Sequence, residues 1–130
     1  MKEACIIVFL IIIVVSSGMA VEKYLSRTSA ELVVEIEKLE NEINNNQTIN
    51  DNQIISNYIN NIENKWDTIE KKWAIVVEHI EIDNLEIALL QIKQYIKEND
   101  KTEALVKIQE TKFLLKHIPE KEKINFKNIM

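Results

Sequence analysis

The stretch IISNYINNIENKWDTIEKKWAIVVEHI, residues 54–80, sets Ile55, Ile59, Ile62, Trp66, Ile69, Trp73, Val76 and Ile80 at alternating spacings of four and three. That rhythm lays one apolar stripe along an α-helix, a heptad seam. Asn57, Asn61, Glu70, Lys71 and Lys72 take the other side, so the segment is amphipathic and belongs in a bundle in water, not in a bilayer. A helix over residues 51–81 is about 45 Å long and forms the spine of whatever packs around it.

Working downstream, residues 84–98 repeat the seam with Leu85, Leu89, Ile92 and Ile96, and Ala88 takes a close-packed position. Residues 101–118 offer Leu105, Ile108, Leu115 and Ile118 before Pro119, which is expected to end that helix. The short Asn99-Asp100 connection makes these two antiparallel. Upstream, residues 29–44 carry Leu32, Ile36, Leu39 and Ile43 on one stripe. An Asn-rich stretch, residues 44–52, joins it to the spine as a loop or a weakly helical bridge, because Asn competes locally for helical hydrogen bonds.

Helix starts are predicted from a capping oxygen followed three residues later by Glu or Gln: Thr28/Glu31, Asn50/Gln53, Asp83/Glu86 and Asp100/Glu103. Hydrophobic staples are expected from Ile49 with Ile54 and from Ile82 with Ile87. Beyond Pro119 the charged tail, residues 119–130, has Ile124, Phe126 and Ile129 available to dock.

At the other end, residues 4–21 carry no charge and are interrupted only by Ser16, Ser17 and Gly18. At helical rise they reach about 27 Å, close to a hydrocarbon core of about 30 Å. The competing reading is a cleavable signal peptide with Lys2 as a minimal basic region and Gly18-Met19-Ala20 as the cleavage site. Continuity through Val21 favours an anchor, with residues 1–3 inside and the remainder exported. Lys2 and the amino terminus nearly balance Lys23 and Arg27, so the charge rule is a weak guide to orientation. The expectation is a single-pass cell-membrane protein whose residues 22–118 form an all-α domain outside the cytoplasm. That domain is an extended antiparallel bundle of about four helices with one long central helix.

Composition excludes much else. One Gly in 130 residues leaves no phosphate-cradling loop and few hairpin turns. The single Cys, Cys5, excludes an internal disulfide framework and a thiolate zinc cluster. A net charge of −5 with no basic stripe argues against nucleic acid. With 23 Ile and 15 Lys against one Arg, codon bias points to an AT-rich bacterial genome.

The apolar start, the helical stalk, then Trp66, Trp73 and His79-Ile80-Glu81-Ile82-Asp83, the Leu/Ile hairpin and the closing Asn128-Ile129 together resemble an uncharacterised clostridial membrane-anchored family, domain of unknown function 4363. The resemblance implies one N-terminal span and an all-helical outer domain. It supplies no catalytic residues.

His79 and His117 are the only histidines, and the predicted hairpins bring them to one end of the bundle with Asp83 nearby. Two imidazoles and a carboxylate make a candidate metal site, but each His is expected in the last turn of its helix, where it complements the dipole. Val76 and Leu114 stand where a di-iron site needs Glu three residues before each His. Trp66 and Trp73 lie one heptad apart and read as core, with an exposed aromatic grip as the rival reading. Ser26 and Ser29 lack a neighbouring His and a nucleophile elbow, and no loop is long enough to wall a glycosidase cleft. No enzyme activity and no cofactor are expected.

The remaining reading is an interaction protein: lipid contacts through residues 4–21, and a bundle presented to a membrane or envelope protein or to a second copy. Leu32, Ile36, Leu39 and Ile43 are the candidate partner surface, since that stripe has the least obvious internal partner. Rival readings are an extracytoplasmic sensor holding a small ligand or metal between helices, and a divisome-like or phage-lysis coiled-coil component.

Overall fold

A computed structural model describes residues 1–129, and among these it contains four α-helices and no strand. They are α1 (Lys2–Asn44), α2 (Gln53–Val76), α3 (His79–Lys97) and α4 (Lys101–Ile129). Each helix packs on its chain neighbour and α4 returns to α1, so the four run up, down, up and down around one core.

The first departure from expectation is that the apolar segment and the first bundle helix are a single helix. Nothing in residues 22–28 breaks the periodicity, and Leu25 is already in the core. Thr28 is therefore mid-helix and caps nothing. Its hydroxyl donates back to the Tyr24 carbonyl at 2.8 Å. The outer part of α1 buries Leu25, Leu32, Val33, Ile36, Leu39 and Ile43, whereas of the 18-residue apolar window only 6% is covered by the rest of the chain.

The spine is also shorter than predicted. It stops at Val76, and α3 begins at His79, five residues before the expected start. Ile75, Val76 and Val77 form a β-branched run that holds a helix poorly. Val77 turns extended at φ −102° and ψ 141° and buries its side chain to 4% exposure, plugging the end of the core. Its N–H still bonds the Trp73 carbonyl at 2.7 Å. Asp83 and Glu86 consequently lie inside α3 and form no cap, Ile80 leaves the seam for solvent, and Ile82 and Ile87 make no staple.

Pro119 does not end α4, which runs on to Ile129. Proline lacks the N–H that would bond the Leu115 carbonyl. Ser29 of α1 supplies the missing donor, its buried hydroxyl bonding that carbonyl from across the bundle. The predicted tail is thus helical for most of its length. Ile124 is exposed, and the proposed docking of Phe126 and Ile129 lies outside the described side chains.

At the far end of the bundle the turns lock together. The Asn-rich stretch is a loop, and α2 is capped by Asn52 instead of Asn50, its carboxamide oxygen accepting from the Ile54 and Ile55 amides. Ile49 is fully buried but Ile54 is exposed, so that staple is absent too. The α3–α4 turn is a Schellman motif with Asn99 at φ 57°, Asp100 N–H bonding Tyr95 O at 2.8 Å and Asn99 N–H bonding Ile96 O at 3.0 Å. The Asn99 side chain then accepts from the Ile49 amide at 2.8 Å, and Lys101 Nζ reaches the Asn46 carbonyl at 3.0 Å, tying the two turns. Asp100 caps α4 as its spacing predicts, accepting from Glu103 N–H at 3.2 Å.

Candidate functional site

Because α1 packs against both α2 and α4, its stripe finds its partners within the chain. Leu32, Ile36, Leu39 and Ile43 are at most 2% exposed, so they form the centre of the core and are not a free partner surface. The apolar pattern was legible, and its use was not: a helix flanked on two sides by its own chain buries the stripe that one with a single neighbour would leave open.

The histidine site is not assembled either. His79 opens α3, so it sits at the positive end of a dipole and not in a last turn. His117 lies within α4, exposed, its ring stacked on Phe113 with centroids 5.4 Å apart. Asp83 is exposed. Among the described residues no group of three or more His, Cys, Asp or Glu side chains is placed to hold a metal ion.

Trp66 and Trp73 are both core residues, packed edge to face with centroids 5.7 Å apart and planes at 83°. Trp73 Nε1 donates to Thr28 Oγ1 at 2.9 Å, which makes this indole a clasp of the spine on α1. Trp66 Nε1 is buried and finds no hydrogen-bond acceptor among the described residues. Beside Trp66 an open groove of about 340 Å³ runs between α2 and α3, lined by Glu63, Asp67, Glu86, Leu89, Leu90 and Lys93. Lys93 and Glu63 pair across it at 3.0 Å.

Carboxylates crowd one end of this groove. A hydrogen bond shared with Glu86 is the main force holding the Glu70 carboxyl above its ordinary range; desolvation and the charges of Glu86 and Asp67 add to it, and Lys71 opposes it. Glu70 and Glu86 lie sixteen positions apart on different helices, so neither spacing nor charge in the sequence pairs them. The same holds for Ser29 and Leu115. A proline inside a continuing apolar pattern is the one sequence sign that a distant donor is needed.

The most protected ion pair joins α4 to α1: Lys112 Nζ lies 2.9 Å from Glu40, with side chains 16% and 17% exposed, and Glu40 also accepts from Gln109. Lys121–Glu81 at 2.9 Å and Lys123–Glu22 at 3.6 Å fasten α4 to α3 and α1 near the other end. The Lys121 ammonium is held above its usual range chiefly by its bond with Glu81.

No curated protein matches the chain, and no solved structure matches it. Residues 19–129 match the family model described as a domain of unknown function, DUF4363, a match that begins within the last three residues of the apolar segment and takes in the bundle. The chain therefore belongs to the DUF4363 family.

Proposed function

We propose that the protein is a single-pass membrane protein whose bundle stands outside the cytoplasm and engages a membrane or envelope protein without catalysing a reaction. One observation carries this reading: a single unbroken helix has a bare apolar half long enough to span a bilayer and a second half that is the central strut of the bundle. With the α1 stripe spent on the core, the surface offered to a partner is the outer side of α3 and α4, where Ile87, Leu90, Val106 and Phe113 are each at least half exposed. Photo-crosslinkers placed at Leu90 and Phe113 in native membranes are expected to capture one specific envelope protein. Membrane-inserted protein that gives no adduct from either position would contradict the reading.

A second reading, a small-ligand sensor, is favoured by the groove beside Trp66, whose buried N–H has no acceptor among the described residues. Its failure or success is read by isothermal titration of the full chain in detergent, comparing a wild-type response with Trp66→Phe.

A further inference from the structure

Continuity of α1 fixes where the bundle stands relative to the end of the apolar segment, and so which residues a bilayer reaches. Lys72 Nζ sits over the Tyr24 ring at 5.5 Å, and Trp73 bonds Thr28, so the α2–α3 corner just beyond lies level with the first residues after Val21. Lys121 reaches Glu81 and Lys123 reaches Glu22, which brings the start of α3 and the end of α4 to that same level.

Three isoleucines stand out there, one on each helix other than α1. Ile75 of α2 is 81% exposed, Ile80 of α3 63% and Ile124 of α4 59%. The bundle core does not use them. The other exposed apolar residues, such as Ile54, Leu90 and Phe113, lie at positions along the rest of the bundle. From its contact with Glu22, α4 continues for six more residues, about 9 Å of helix, antiparallel to α1 and therefore alongside residues 16–21 of the apolar segment. If residues 4–21 fill the hydrocarbon layer, the corner and Ile124 lie at its border with the polar layer of about 5–8 Å, and the last turns of α4 dip beneath that border.

We propose that the α2–α3 corner and the turn of α4 around Ile124 form a foot that rests where the headgroup layer meets the hydrocarbon of the membrane crossed by α1, with Ile75, Ile80 and Ile124 entering the lipid and the last turns of α4 following α1 below that border. The inference rests on the anchored reading above. Apolar insertion drives it, and no anionic lipid is required: Lys121 and Lys123 are already paired with Glu81 and Glu22. The foot also suits its charges to that layer. Glu122 is held above the ordinary carboxylate range first by desolvation and then by Glu78, with Lys121 opposing and Glu81 adding, so its protonated form is favoured more than in free solution. A foot of this kind stops the bundle swinging on its anchor and presents the outer side of α3 and α4 at a fixed height.

The test uses the full chain, with Cys5→Ser as background, reconstituted in phosphatidylcholine vesicles that carry spin-labelled lipid. A fluorophore is attached in turn at Ile75→Cys, Ile80→Cys, Ile124→Cys, Leu90→Cys and Leu10→Cys. Quenching by lipid labelled near the headgroup should be at least threefold stronger at positions 75, 80 and 124 than at 90, while position 10 is quenched best by lipid labelled deep in the chain. Strong quenching at position 10 with 75, 80 and 124 no different from 90 overturns the foot and leaves the anchor standing. Disulfide-linked dimers formed on oxidation of the unlabelled cysteine variants at 75, 80 or 124, with no quenching of the labelled ones, overturn it in favour of a second copy. Absence of quenching at position 10 removes the anchor and the foot together.

Discussion

The two halves of α1 are built from the same kinds of aliphatic residue and share one backbone, yet they answer to different surroundings. In residues 6–15 every side chain is exposed, and none of the other helices covers them. From Leu25 to Ile43 only one stripe is buried, and Glu31, Glu37 and Lys38 face water. A helix that is apolar all round has no preferred side and needs a solvent that is apolar all round; a striped helix selects neighbours. Composition alone would call both halves hydrophobic. The arrangement of the polar residues is what separates a membrane segment from a bundle strut.

The contrast breaks most visibly at the residue that clasps the striped half. Trp73→Ala removes a fully buried ring and the donor to Thr28, and is expected to lower bundle stability by about 3–5 kcal/mol in denaturant titrations of detergent-solubilised protein. A direct comparison of the halves comes next. Ile36→Ala should cost about 2–5 kcal/mol in the same titration, and Ile11→Ala less than about 0.5 kcal/mol, because Ile36 is wholly buried and Ile11 is 56% exposed. Equal losses at both positions would mean that the apolar half is packed in the protein after all.

A smaller effect tests how the striped half supports α4. Ser29→Ala leaves the Leu115 carbonyl without a donor and should cost about 1–3 kcal/mol. In a Pro119→Ala background the restored amide can take over, so the same change should cost about 1 kcal/mol less; additivity in this double-mutant cycle would remove Ser29 from the role described.

The smallest effect lies away from α1. The Glu70 carboxyl titrates higher in the folded chain than when unfolded, so the contact with Glu86 supports the fold when protonated and is lost as pH rises through the folded value. Thermal unfolding between pH 4 and pH 7 should therefore show a stability contribution that fades toward neutrality and disappears in Glu70→Gln.

The seams of Ile55 to Trp73, Leu85 to Ile96 and Leu32 to Ile43 were readable because burial on one face imposes a period, and with them came the helical class and most of the core. The ends of helices were less so. Pro119 reads as a stop and is not one, because Ser29, ninety positions upstream, meets the carbonyl it orphans. Val76 reads as a seam residue within a longer helix, yet the helix ends there and Val77 makes the break, because a bundle needs a turn at that point and a buried valine can make one without Gly or Pro. Both outcomes depend on residues brought together only by folding. The candidate site depends on folding in the same way: the histidines and the α1 stripe are visible in the sequence, but exposure and pairing are properties of the packed bundle.

The claim beneath all of this is that the bare half of α1 is solvated by lipid in the intact protein. Alkaline extraction of membranes from cells making the full chain, with the mass of the recovered protein determined, tests it most directly. The account predicts a full-length chain that stays in the membrane pellet and leaves it only with detergent. Recovery in the soluble fraction, whether intact or shortened to a chain starting near residue 21, would contradict it.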